Sequence, residues 1–406
     1  MNLTNRPIRN MLLSLAGLFA AAATLQAAPA AAAKSDTGGA NGNAYYQQFR
    51  NPDPKYRPFV RWWWNGDKVN ADELRRELYL LKDAGIGGVE INPVEFPRRA
   101  DDLGAKPLSW LSKEWIDMLA VAFDQAEKLD MTCDLIVGSG WPFGGEFLKG
   151  DERGQVMVVG VEKLEGPQEY TTSVFSLLKE ADPAISKAYK GRVPHLLSLQ
   201  LVPEPLGSLD QVIDLSDKID EKGAFTIGIP KGKYALSLVR IDSFGAVICG
   251  APGAQGPTLN HLDQAAVEKY LNHMSDAIQD QLGPLRNYIR SLFTDSMELE
   301  GANWTGDFAA EFKKRRGYDI MPYLQYTMFK TGGMGNVTDY NYAAEMTPEF
   351  KEMIDRMRYD VELTKAEMFR DRFTIPYTEW CKKLGVLSRA QAYGRGFFPL
   401  ESGMYY

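Results

Sequence analysis

The sequence predicts an α/β fold, a (β/α)8 barrel of the TIM type truncated after about five strands, with an all-β domain inserted after the third strand. Three observations predict it. From Phe59 onward, strand-like apolar runs alternate with amphipathic helical stretches, the rhythm of parallel βαβ units. Between about Gln155 and Ser243 that rhythm gives way to apolar residues recurring with period two. No phosphate-binding fingerprint opens the first helix. The glycine-rich "GSGWPFGG" at 138–145 has Phe143 where the third glycine of G-x-G-x-x-G belongs, which favours a barrel over an open dinucleotide-binding sheet.

Each element has its own signal. Phe59 to Trp64 is an aromatic strand closed by the Asn65-Gly66 turn. Asn70 caps a helix with Glu73 at the capping-box position, Leu74, Leu78 and Leu81 as its stripe, and Gly85 as its stop. Gly88 to Asn92 is the second strand. A helix from Ser112 places Trp115, Leu119, Ala122 and Ala126 on one face, and Cys133 to Val137 follows as the third strand. Within the β segment, Pro230-Lys231-Gly232-Lys233 reads as a hairpin turn. Asp263 caps a helix with Val267, Leu271, Met274, Ile278 and Leu282 inward, stopped by Gly283-Pro284, and the fourth strand ends in "TDSMELEGANW" at 294–304. A short helix over 307–316 buries Phe308 and Phe312, and its basic tail Lys313 to Arg316 complements the helix dipole. A long helix from Thr347-Pro348 kinks near Pro376 and delivers the fifth strand, Val386 to Ala392.

Composition narrows the function. The 406 residues are 45% hydrophobic, enough for a large core, and acids outnumber bases by 53 to 46. With the bases dispersed apart from Lys313 to Arg316, the electrostatic footprint of a nucleic-acid binder is missing. Arg6 and Arg9, the apolar run from Met11 to Leu25 and the small residues from Ala27 to Ala33 form a cleavable secretory signal, the apolar part being shorter than the ~20 residues a spanning helix needs. The mature product is therefore expected to be periplasmic or secreted, free of the membrane. The expected organisation is a signal peptide over 1–33, a linker over 34–54, barrel segments over 55–153 and 244–406, and the β insert over 154–243. Three cysteines more than a hundred residues apart and three histidines without metal-ligand spacing leave carboxylates to carry any catalysis.

Functional residues of a parallel barrel lie at the C-terminal strand ends. Those ends carry Trp64, Glu90 with Asn92, Gly138 to Trp141, and Asp295, Glu298 and Glu300, an aromatic and acidic composition suited to carbohydrate. Trp64, last in its strand, is the candidate sugar-stacking ring. Glu90 reads either as a site residue or as the partner of a cation such as Arg61. Were the fourth strand to continue, Glu298 and Glu300 would share a face ~7 Å apart, where crowding favours a held proton or a bound cation.

At these residues the sequence resembles glycoside hydrolase family 106, the α-L-rhamnosidases. The stretches "RPFVRWWWNGDKVNADELRRELYLLKDAGIGGVEI", "GSGWPFGG", "TDSMELEGANWTGDFAAEFKKRRGYDIMPYL" and "YTEWCKKLGVLSRAQAYG" carry the resemblance, in order, from Arg57 to Gly394. It implies an inverting exo-hydrolase that removes terminal α-L-rhamnose from a rhamnosylated glycan or glycoside, with a calcium ion near the sugar. Glu298 matches the general acid, and Glu300 is the alternative acid or, with Asp295, a calcium ligand. Glu90, Trp64, Trp141, Arg389, Gln391 and Tyr393 are the candidate substrate contacts. Family members are longer, the acidic motif associated with the general base follows the last of these stretches, and Tyr393 stands where a histidine is expected. A non-catalytic rhamnose-binding protein and a barrel glycosidase of other sugar specificity are the alternative readings.

Overall fold

The structure, a computed structural model, describes residues 40–96, 106–180, 195–299, 301–327, 329–331, 337–340, 343–392 and 400–405. The chain divides into two compact units, Met1–Pro52 and Asp53–Tyr406. In the first, Ala40–Arg50 is helical where the sequence predicts linker, and its residues 43–50 are exposed. The predicted signal peptide lies outside the described residues.

The strands of the second unit are β1 (Phe59–Asn65), β2 (Gly88–Val94), β3 (Thr132–Ile136), β4 (Gln155–Ser173), β5 (His195–Pro203), β6 (Ile213–Asp214), β7 (Ala224–Ser243), β8 (Ser291–Thr294), β9 (Phe329–Thr331), β10 (Val337–Tyr340) and β11 (Leu387–Ala390). β1, β2, β3, β8 and β11 form a parallel sheet in that order, the five strands expected from the sequence. β4, β7, β5 and β6 form an antiparallel sheet that falls between β3 and β8 in the chain, and β9 pairs with β10.

Local chemistry sets the helices that back the parallel sheet. Asn70 Oδ1 accepts from the Glu73 amide at 3.0 Å, Ser112 Oγ from Trp115 at 3.2 Å and Asp263 Oδ1 from Ala266 at 3.2 Å, so each helix starts where the sequence places its cap. The helices Ala71–Asp83, Lys113–Lys128 and Gln264–Leu282 bury Leu74 and Leu78, Trp115 and Leu119, and Val267, Leu271 and Met274 in one core. The run Lys313 to Arg316 ends the helix Phe308–Arg316. Its Arg315 and Arg316 are held by Glu367 and Asp371 of the neighbouring helical segment.

Two elements differ from expectation. Pro230 to Lys233 is not a turn: β7 runs through it as one strand, paired with β4 along its length, and the register slips between Gly166 and Gln168. The turn-forming residues mark a bulge, because Gly166 opposes Gly232, whose φ is 130°, and a Cβ on Gly166 would collide with the Pro230 carbonyl. The long helix Pro348–Phe369 meets Pro376 through a π-helical turn, Arg370–Thr374, before continuing as Ile375–Leu384. The wider turn absorbs the hydrogen bond that proline cannot donate.

Candidate active site

Alternation along β1 decides which side chains reach the site. Trp62 and Trp64 turn toward the helices and pack on each other and on Trp115, leaving Arg61, Trp63 and Asn65 on the opposite face. Register then aligns Arg61 with Glu90 and Asp134, and Trp63 with Asn92. Phe293 lies between Ile136 and Arg389 on the same face.

This face carries a ladder of alternating charge. Arg61 Nε lies 3.2 Å from Glu90 Oε1, and Arg61 Nη1 donates to Asp295 Oδ2 at 2.9 Å. Arg389 Nη1 donates to Glu90 Oε2 at 3.0 Å and to Asp134 Oδ2 at 2.5 Å. Arg290 grips Asp134 through both Nε and Nη2, at 3.1 and 2.6 Å, and the Ser291 amide adds a fourth donor to that carboxylate. The acids are buried and the arginines are partly open, so each desolvated carboxylate keeps a cation. The guanidiniums of Arg61 and Arg389 both lie over the Phe293 ring, at 4.9 and 5.4 Å from its centre.

The ladder also reports shape. Arg61 on β1 reaches Asp295, just past β8, and Arg389 on β11 reaches Glu90 on β2, each spanning three strand spacings. In a flat sheet those strands would stand about 14 Å apart with side chains perpendicular to the plane. The face must therefore be concave.

At the C-terminal rim, β8 ends at Thr294, so Glu298 does not extend the strand as the sequence suggested. The Leu299 amide instead bonds the Met297 carbonyl at 2.9 Å, a γ-turn with Glu298 at its apex. Met297 and Leu299 are buried in the main core while Glu298 is half-buried between them. Downstream, Asn303 accepts from the Met157 amide at 2.6 Å, and Asn260 Nδ2 donates to Thr305 Oγ1 at 3.1 Å, pinning this loop to the start of β4. The glycines after β3 permit close packing of another rim loop: a Cβ on Gly140, at φ 71°, would strike the Ile248 carbonyl. Ser139 Oγ, between them, donates to the Pro93 carbonyl at 2.6 Å and accepts from the Ala251 amide at 2.8 Å.

The structure distributes the expected site residues unevenly. Glu90, Arg389 and Asp295 meet in the ladder, and the pairing of Glu90 with Arg61 is the one the sequence offered. Gln391 donates to Ser296 Oγ at 2.8 Å beside that ladder. Trp141 is half-buried, its backbone bridged to Ile248. Trp64 is only 1% exposed and offers no stacking surface; the open ring of the run is Trp63, at 55%. Glu300 and Tyr393 lie outside the described residues. The sequence reading missed Trp63, Asp134, Arg290 and Phe293. The period-two alternation of β1 could have found Trp63, whereas the others depend on strand order.

Burial shifts Asp67 and His261 in opposite directions. Asp67, in the loop after β1, is fully buried, and its carboxyl is pushed up to about 8 by burial; the nearby Trp115 indole offsets this in part without a well-formed hydrogen bond, and the charge of Glu95 adds to it. His261, among Phe143, Phe369 and Phe373, is pushed down to about 4 by burial and stays neutral in the core. The calcium ion implied by the resemblance does not fit the described donors. Asp295 has one oxygen on Arg61 and the other on the Ser296 amide, and no three His, Cys, Asp or Glu converge among the described residues.

Comparison with known proteins agrees with this architecture. A Formosa agariphila protein bearing the name of a beta-glucuronidase is 23% identical over 383 residues, covering 87% of this chain and 31% of its own. The solved rhamnosidase from Novosphingobium sp. PP1Y superposes with a TM-score of 0.55 at 18% identity, over 87% of this chain and 48% of that one. The chain thus spans less than half the length of either. A sequence model of the alpha-L-rhamnosidase family matches residues 50–183 and 201–341, more than half of the chain, which places it in glycoside hydrolase family 106.

Proposed function

We propose that the protein is an exported glycoside hydrolase that removes terminal α-L-rhamnose from glycans or glycosides by an inverting two-carboxylate mechanism, its parallel strands forming part of a (β/α)8 barrel. The observation that carries this reading is Glu298 at the apex of the γ-turn following β8, within the family-matched residues. Buried Met297 and Leu299 hold the backbone on either side, so the carboxyl is presented from a fixed base, as a proton donor must be. The concave curvature of the sheet supports the barrel.

Glu298 would protonate the glycosidic oxygen as its bond to the sugar C1 breaks. A base ~6.5–9.5 Å away takes a proton from the water that attacks C1 from the opposite face, and rhamnose leaves with inverted anomeric configuration. Glu90, Asp134 and Asp295 are each engaged by guanidinium groups, so the base is assigned to a carboxylate outside the described residues. The same pairing argues for a neutral sugar over a uronic acid: among the described residues, the concave-face cations Arg61, Arg290 and Arg389 already hold buried carboxylates. The signal-like pattern over 1–33 supports export, which the N-terminal sequence of the protein recovered outside the cytoplasm would establish.

Incubation of the full gene product with an aryl α-L-rhamnoside, following free rhamnose and its first-formed anomer, tests the reading. Release of the inverted anomer is expected, with Glu298→Gln abolishing turnover of poor leaving groups while preserving binding. Saturable binding without release would replace the enzyme by a sugar-binding protein, and full activity of Glu298→Gln would discard the acid assignment.

A further inference from the structure

Resting on the rhamnosidase reading, we propose that Trp63 and Phe96 form a stacking platform for the apolar flank of a deoxy sugar, with Asn92 as the hydroxyl-reading group beside it. Trp63 stands on the concave face in register with Asn92, and its ring lies 4.7 Å from that of Phe96, just past β2, tilted by 59°. The Asn65 side chain accepts from the Phe96 amide at 3.0 Å, which fixes the second ring relative to the strand that carries the first.

Burial singles out Trp63. Trp62 and Trp64 are 7% and 1% exposed and serve the core, whereas Trp63 is 55% exposed on a face whose other members are mostly ion-paired or buried. A large ring there contributes little to folding and much to a ligand that brings its own apolar surface. The polar counterpart is adjacent. Asn92 is 1% exposed, its Nδ2 donates to the Glu90 carboxylate and carbonyl at 2.9 and 3.1 Å, and its Oδ1 has no partner among the described residues. Those bonds fix the orientation of the amide, so the unpaired atom is an acceptor and calls for a donor such as a sugar hydroxyl. An aromatic ring beside an unmet acceptor matches a 6-deoxyhexose, which combines a methyl-bearing apolar flank with ring hydroxyls.

The test is calorimetric titration of the full gene product with L-rhamnose and with L-mannose, which differs by a hydroxyl on C6. Trp63→Ala is expected to weaken rhamnose binding about tenfold and to narrow its preference over L-mannose, while Trp63→Phe, which keeps a ring, stays within about threefold of the parent. Equal urea midpoints for all three proteins would exclude an effect through folding. Rhamnose binding by Trp63→Ala as tight as by the parent overturns the platform and leaves the rhamnosidase reading standing. A parent protein that releases rhamnose from the aryl α-L-rhamnoside yet binds none overturns the platform alone, whereas one that neither releases nor binds it overturns both.

Discussion

Arg61 on β1 and Asp295 beyond β8 are joined by a 2.9 Å ion pair across the sheet, and the same guanidinium holds Glu90. One exposed-side cation therefore serves two buried carboxylates and draws together strands that a flat sheet would keep apart.

Arg61→Ala is expected to destabilise the protein by about 2 kcal/mol, the cost of leaving Asp295 buried with a weakened set of donors; Glu90 keeps Arg389. Urea unfolding measures the loss. A double-mutant cycle with Asp295→Asn should return a coupling of about 1 kcal/mol or more.

Asp67→Asn is expected to stabilise the protein in a pH-dependent way. In the folded state the Asp67 carboxyl keeps its proton up to about 8, whereas unfolded it is released near the ordinary 3.8. Between those limits the folded state binds more protons, so the parent loses stability as pH rises from 4 to 8 and levels off above. The advantage of Asn, which tolerates the left-handed backbone at φ 51°, should grow over that window to roughly 5 kcal/mol. Thermal unfolding at pH 4, 6 and 8 follows it, and a pH-independent difference would refute the buried-proton assignment.

Neighbouring tryptophans should behave oppositely. Trp64→Ala removes a ring that is 1% exposed and in edge contact with Trp62 and Trp115, at a cost of about 3–5 kcal/mol. Trp63→Ala should leave the unfolding free energy within about 0.5 kcal/mol of the parent.

Gly140→Ala is expected to cost about 2–4 kcal/mol, because a side chain at φ 71° is strained and its Cβ would strike the loop of Ile248. Hydrogen exchange should report the damage locally, as faster exchange of the Trp141 and Ile248 amides that bridge each other's carbonyls at 3.1 Å.

Much of the fold was legible in the chain because its signals are local. Asn70, Ser112 and Asp263 cap their helices through bonds three residues long, and the apolar stripes behind them needed only the helical period. The site was legible in part. Glu90, Asp295 and Glu298 could be named from strand ends and Arg389 from the family resemblance, but Trp64 was chosen where Trp63 is the open ring, since being last in a strand does not say which way a side chain points. Pro230 to Lys233 misled for a related reason: glycine and proline announce a departure from regular pairing, and whether that is a turn or a bulge depends on the opposing strand, here Gly166.

The sequence by itself determined the five parallel strands, the capped helices between them and the gathering of acids and aromatics near the strand ends, because propensity, capping and periodicity act over a few residues. Only the tertiary structure decided that Arg61, Glu90, Asp134, Asp295 and Arg389 form one ladder and that Glu298 rides a γ-turn beyond the strand. Those contacts join residues up to 299 positions apart, and register and curvature across the sheet, which no local pattern encodes, bring them within hydrogen-bonding distance.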